Sequence, residues 1–299
     1  MDYIDYLLYK FAYFLGTHLP LKICYFLSRR VSEFRYYTAF VWRKKVKKNI
    51  TENLKIVLQY KYQQEGKQLT KTELRKMVKK NYYHFARYMT DFLSMPKNKD
   101  YFLKRLKIIG IENVKQALSY RNGVIILTAH LGNWELAGAM TSFLGFPLNA
   151  IALPYKSKRI ANLFIEIRKK TGINVIKTGT GPKEILRSLR KNEIIAVLGD
   201  RVFTEKGIKI NFMGKPAILP RGPVTLAVKT KAKYLSGFLI YENDGSYTLL
   251  FQNLKESFFD NDNKKINFYL EESKNILEKY ILQYPYQWLN FSNTWNVLY

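Results

Sequence analysis

His130 and Glu135 stand five positions apart within VIILTAHLGNWELAGAM, Val124 to Met140. An imidazole of ordinary pKa, near ~6.5, can take a proton from a hydroxyl at neutral pH. A carboxylate within reach fixes the tautomer this needs and supports the imidazolium that forms. With 23 acidic residues in a chain of 299, the spacing by itself is no signature. Its place in the chain gives it weight. No serine stands in a G-x-S-x-G setting and the single cysteine, Cys24, has no such context, which argues against a covalent nucleophile. The three histidines are dispersed and there is no cysteine cluster, so no metal is expected.

The elements around the pair must hold it in place. Val124 to Ala129 reads as a buried strand, and Trp134, Leu136, Ala137 and Met140 recur at helical spacing after Gly132 and Asn133. His130 therefore falls at a strand-to-helix corner. Asn133 is placed to cap the helix, which leaves the Glu135 carboxylate in the first turn, able to fold back toward His130. Backbone N–H groups at that helix start are expected donors to a developing oxyanion. From Leu106 onward short apolar runs alternate with amphipathic helices, the texture of an α/β fold with a largely parallel central sheet covered by helices. Strands are expected at Leu148–Leu153, Ile173–Ile176 and Ile194–Leu198, and helices over Ser157–Thr171, after the glycine-rich turn Thr178–Gly181 with Pro182 at its start, and over Val224–Lys231. The Ile194 strand delivers Gly199, Asp200 and Arg201 to the sheet edge that carries His130. His84, between Tyr83 and Phe85, reads as a packed or partly exposed histidine rather than a catalytic one.

Residues 1–100 read as a helical, membrane-associated region and 101–299 as the α/β domain. Asp5, Lys10, His18 and Lys22 interrupt the first thirty residues, so a simple spanning helix is not expected. Ile4, Leu7, Leu8, Phe11, Phe14 and Leu15 share one helical face, which suits a helix lying in a membrane interface or one packed on the protein's own core. The start lacks the basic region and cleavage site of a signal peptide, so the body is expected in the cytoplasm. Fifty Lys and Arg against 23 Asp and Glu give +27, a charge suited to anionic headgroups or an acidic carrier protein, or simply spread over a solvated surface. Nucleic acid is not expected as a partner, for no binding motif appears. The basic cluster Arg43, Lys44, Lys45, Lys47 and Lys48 beside Trp42 is either a membrane contact or a solvated helix face.

GVIILTAHLGNWELAG from Gly123, LGDR from Leu198 and INFMGKPAILPRGPVTLAVKTKA from Ile210, in that order and spacing, resemble the lysophospholipid acyltransferase superfamily. Within it they resemble the late (lauroyl/myristoyl-type) lipid A biosynthesis acyltransferases. The resemblance spans about Leu106 to Tyr299 and implies a glycerolipid acyltransferase-like fold without a redox cofactor. It implies transfer of a fatty acyl chain from acyl carrier protein or acyl-CoA to a hydroxyl of a membrane lipid, lipid A precursor-like. The place implied is the cytoplasmic face of the inner membrane, peripheral or monotopic. His130 would be the base and Glu135 its orienting carboxylate, with Asn133, Asp200, Arg201 and Arg159 binding substrate. Arg159 shares its region with the basic residues Lys156 and Arg168. The Ile210 block would floor the acyl groove. Two departures bear on the acceptor. Arg201 stands where an Asp-Gln pair is more usual, free to bind an acceptor phosphate or to pair with Asp200 or Glu135, and the ending YPYQWLNFSNTW from Tyr284 lacks an arginine. The alternatives are an acyltransferase for another lipid or small-molecule acceptor, and a non-catalytic relative that binds membranes or nucleic acid.

Overall fold

The structure, a computed structural model, describes residues 2–42, 44–152, 157–177, 181–202 and 207–295. Arg43, Lys156 and most of the Thr178–Gly181 turn lie outside them. Four long helices come first: α1 (Asp2–His18), α2 (Leu21–Trp42), α3 (Lys44–Gln64) and α4 (Lys71–Ser94). The start of α4 is set by a capping box, Thr70 accepting from the Glu73 N–H while Glu73 reaches back to the Thr70 N–H. The short α5 (Lys99–Leu103) leads to β1 (Leu106–Ile109), α6 (Ile111–Ser119), β2 (Val124–Thr128), α7 (Trp134–Phe143), β3 (Leu148–Ala152), α8 (Lys158–Lys170), β4 (Asn174–Lys177), α9 (Gly181–Arg190) and β5 (Ile194–Leu198). The hairpin β6 (Gly207–Phe212) and β7 (Lys215–Pro220) follows, then α10 (Gly222–Thr230), β8 (Lys233–Tyr241), β9 (Tyr247–Asn253) and α11 (Asp262–Gln283).

Seven strands form one sheet in the order β1-β9-β8-β2-β5-β3-β4, parallel throughout except for the antiparallel β8–β9 pair. A strand in the middle of such a sheet must be apolar on both faces, and every residue of β2 is buried. Ile125 and Leu127 pack against α3, α9, α10 and α11 through Val57, Leu189, Val224 and Leu277. Val124 and Ile126 pack on the opposite side against Phe92, Leu136 and Phe164 of α4, α7 and α8.

The sheet matches the expected texture, with two additions. The antiparallel strand pair β8–β9 extends it, and the chain between Gly207 and Pro220 is a separate hairpin. Its turn residues, Met213 and Gly214, both have positive φ, 50° and 73°. That is the backbone of a two-residue hairpin turn. Met-Gly carries little of the Asn-Gly signature by which such turns are read from sequence.

The apolar face foreseen on α1 points outward. Ile4, Leu7, Leu8, Phe11 and Phe14 are 44–63% exposed, Leu15 is half-buried, and the opposite face of Tyr6, Tyr9, Ala12 and Tyr13 packs on the core. Ile23, Phe26, Leu27, Val31 and Phe34 of α2 extend the exposed apolar surface. Among the described residues no helix is long and apolar enough to cross a membrane.

The corner after β2 is pinned from two sides. The Gly132 N–H donates to the Gln287 carbonyl at 3.0 Å, the Asn133 N–H to the Leu239 carbonyl at 3.0 Å, and the Leu289 N–H to the His130 carbonyl at 2.6 Å. Gly132 has φ +64°, and a Cβ there would stand 1.8 Å from the Leu239 oxygen, so only glycine fits. The C-terminal segment that reaches this corner is itself tied down. A 3-10 turn at Pro285–Gln287 precedes it, the Asn81 amide donates to the carbonyls of Tyr286 and Trp288 at 3.1 and 2.8 Å, and the Asn53 amide donates to those of Asn290 and Ser292 at 3.0 and 2.8 Å.

His84 packs beneath the same corner, as expected of it. Its Nε2 is 3.4 Å from the Gly132 carbonyl, and its ring meets Tyr241 edge-on at 4.5 Å. Burial, aided by the positive charge of Arg87 and only partly opposed by the Gly132 carbonyl, pushes the imidazole down to about 3. Between that value and the ordinary ~6.5 the unfolded chain binds a proton that the folded chain does not. Stability therefore rises with pH across this window and is fully present above it. Lowering the pH from about 6.5 to about 4.5 is expected to cost about 2–3 kcal/mol through this residue, and His84→Gln should flatten that part of the slope in urea unfolding. An unchanged slope would contradict the assignment.

Candidate functional site

β2 and β5 run parallel with Thr128 in register with Leu198. His130 and Asp200 each lie two residues beyond that pair, so the two strand ends present them side by side. The Gly199 N–H donates to the Thr128 carbonyl at 2.9 Å and carries the pairing one step past the strands. His130 Nδ1 is 2.8 Å from Asp200 Oδ1. Asp200 Oδ2 accepts a hydrogen bond from Trp288 Nε1 at 2.8 Å. All three are buried, at 5%, 0% and 2% exposure.

Burial would raise the Asp200 carboxyl. The charge and hydrogen bond of His130, the charge of Arg201 and the Trp288 N–H outweigh it and hold the group down to about 2. An ionised carboxylate at Nδ1 selects the Nδ1–H tautomer, in which Nε2 is the proton acceptor. The edge of Trp134 meets the His130 ring at 4.9 Å, and Trp134 stacks on Tyr88 at 4.2 Å, so the imidazole plane is also fixed by packing.

Glu135 is not the carboxylate that orients His130. It accepts two hydrogen bonds from Arg168 of α8, from Nε at 2.8 Å and from Nη2 at 2.6 Å, in a pair buried on both sides. A buried guanidinium needs an anion, and its fork matches a carboxylate. That demand draws Glu135 away from the corner and uses it to tie α7 to α8. The carboxylate that does lie on His130 is that of Asp200, fully buried between His130 and Trp288.

Asn133 caps α7, its Oδ1 accepting from the Leu136 N–H at 2.9 Å. Its Nδ2 donates inward to Tyr241 Oη at 2.9 Å and to Asp91 Oδ2 at 3.4 Å. At 0% exposure its side chain is enclosed by these partners. Arg201 is half-buried beside Asp200. Arg159 is exposed on α8 with its guanidinium 5.2 Å over the Tyr3 ring, and its contact is thus with α1. Of the amides expected to face an oxyanion, those of Gly132, Asn133 and Leu136 are engaged within the protein. That narrows the expectation to Trp134 and Glu135.

Two residues passed over in the sequence belong to this frame. Asp91 of α4 is fully buried and accepts from the hydroxyls of Tyr25 at 2.5 Å, Tyr241 at 2.6 Å and Tyr247 at 3.3 Å. Burial pushes its carboxyl up, against Arg87 and the tyrosines. Arg87 lies 4.3 Å over the Tyr241 ring. A lone aspartate in the apolar run YMTDFLSM was the available signal. Trp288 had none beyond its place in an aromatic C-terminal stretch, because its partner is 88 residues away.

Beside Gly199 lies a small apolar cleft of about 10 Å³, lined by Leu127, Leu219, Pro220, Val224, Tyr234 and Leu277. The hairpin, α10 and α11 enclose it on one side and the sheet on the other. This is the chain segment expected to floor a groove.

The chain matches, over residues 1–297, the family described as bacterial lipid A biosynthesis acyltransferase. Among curated proteins it is similar to the phosphatidylinositol mannoside acyltransferase of Mycolicibacterium smegmatis, 28% identical over 166 residues, which are 54% of this chain and 55% of that protein. It is also similar to the phosphatidylinositol mannoside acyltransferase of Mycobacterium tuberculosis, 29% identical over 140 residues, 46% of this chain and 44% of that one. The match thus spans about half the length of these curated relatives.

Proposed function

The chain belongs to the bacterial lipid A biosynthesis acyltransferase family, and we propose that it transfers a fatty acyl chain from an acyl thioester to a hydroxyl of a membrane lipid. The observation that carries this reading is the buried His130–Asp200 pair, 2.8 Å apart at the C-terminal sheet edge and next to an apolar cleft. His130 Nε2 takes the proton of the acceptor hydroxyl as its oxygen attacks the thioester carbonyl. The new C–O bond forms, the amides at the start of α7 face the oxyanion, and the C–S bond breaks. The imidazolium returns the proton to the departing thiolate, so the products are an ester and a free thiol. Asp200 stays ionised throughout and holds the ring. The acyl chain runs along the apolar surface that the hairpin and α10 present beside Gly199, each methylene it buries contributing roughly 0.8 kcal/mol.

The acceptor class we propose is a glycosylated membrane lipid. A lipid A precursor fits the family description, and a mannoside of phosphatidylinositol fits the relatives' names. The donor is acyl carrier protein or acyl-CoA, both anionic and both drawn to a chain of charge +27. The exposed apolar faces of α1 and α2, flanked by exposed Lys10, Lys22, Arg29 and Arg30, suit a protein seated on the cytoplasmic face of the inner membrane, peripheral or monotopic.

Mass spectrometry of total lipids from cells expressing the wild type should reveal a species heavier by one acyl chain, absent with His130→Ala. Equal product from the folded variant would overturn the mechanism. For the membrane seat, Leu8→Gln with Phe11→Gln should weaken binding to anionic vesicles by at least about tenfold, as loss of two buried side chains requires. Unchanged co-sedimentation would place the contact elsewhere.

A further inference from the structure

Trp288 lies at the end of the chain, yet its indole N–H is aimed at the most deeply buried carboxylate of the site. We propose that Trp288 is a positioning residue for the acyl transfer: its N–H clamps Asp200 Oδ2 and so holds Oδ1 on His130 Nδ1. This deepens the reading above and rests on it.

A carboxylate with one hydrogen bond can still turn, since its terminal torsion is broad and shallow. A second donor on the other oxygen removes that freedom. Indole suits the task because it is a donor only. It supports the anion but takes no part in the proton transfer.

The placement of Trp288 is determined independently of its ring. Its backbone bridges Leu131 in antiparallel fashion, its carbonyl accepts from Asn81 at 2.8 Å, and the next amide, of Leu289, donates to the His130 carbonyl at 2.6 Å. One segment thus grips the histidine by its backbone and the aspartate by its side chain, and sets the distance between them. Packing alone does not account for the direction of the ring. Trp288 also contacts Trp295, with centroids 6.0 Å apart, and that contact needs no N–H pointed at a carboxylate.

The test replaces Trp288 by β-(3-benzothienyl)alanine, which keeps the bicyclic shape and exchanges only the N–H for sulfur. Transfer is followed with dodecanoyl-coenzyme A as donor and phosphatidylinositol mannoside as acceptor. The expected result is a kcat lower by about tenfold, the scale of one hydrogen bond to a charged group, with KM near wild type and a melting temperature lower by a few degrees, because one oxygen of a buried carboxylate has lost its donor. Nitrogen-15 spectra of the histidines read the same effect without turnover: wild-type His130 as the Nδ1–H tautomer, and the analogue with an added Nε2–H population. A wild-type kcat and an unmoved His130 spectrum in the analogue would overturn the proposal. If the wild type transfers nothing between these two substrates, that donor–acceptor pair is excluded, and the histidine spectra decide the role of Trp288.

Discussion

A carboxylate with no exposed surface is tolerable only when its charge and its lone pairs are met, and Asp200 is met on both oxygens. Its partners come from distant parts of the chain. His130 arrives at the end of β2, Trp288 from the segment after α11, and the aspartate itself from the end of β5. The parallel register of β2 and β5, the glycine at position 132 and the asparagines that hold the last segment all serve to bring these three together. Loss of any one of them would leave the buried charge poorly compensated.

Two further buried polar groupings support the same corner without entering it. Glu135 and Arg168 neutralise each other and fasten α7 to α8. Asp91, under three tyrosine hydroxyls and near Arg87, joins α2, α4, β8 and β9 beneath the cap of α7. Asn133 links that cluster to the site, because one amide caps the helix through its oxygen and reaches Tyr241 and Asp91 through its nitrogen. Of the two helices whose outer faces are apolar, α2 is therefore tied, through Tyr25, to the elements that carry His130.

Much of this was legible in the residues. Val124–Ala129 and Ile194–Leu198 read as strands because central parallel strands are apolar on both faces, and that reading placed His130 and Asp200 on one edge. Asn133 announced itself as a cap by its type and position. Local spacing misled at Glu135, where five positions suggested a partner and the buried Arg168, 33 residues away, supplied a better one. The aromatic C-terminal stretch was opaque for a related reason: what Trp288 and Gln287 do depends on β2 and β8, and no periodicity within the stretch encodes contacts of that range. The hairpin at Met213 and Gly214 was missed because its turn lacks the usual asparagine.

The account stands on which carboxylate serves the histidine, and steady-state acyl transfer by Asp200→Asn beside Glu135→Gln addresses that choice most directly. An amide at position 200 keeps the shape but favours the wrong tautomer, and a rate lower by about 10³–10⁴ is predicted, as for other histidine–aspartate pairs. Folded Glu135→Gln should keep most of its rate, since that residue touches Arg168 rather than His130. Near-normal turnover by Asp200→Asn together with a dead Glu135→Gln that still folds would contradict it.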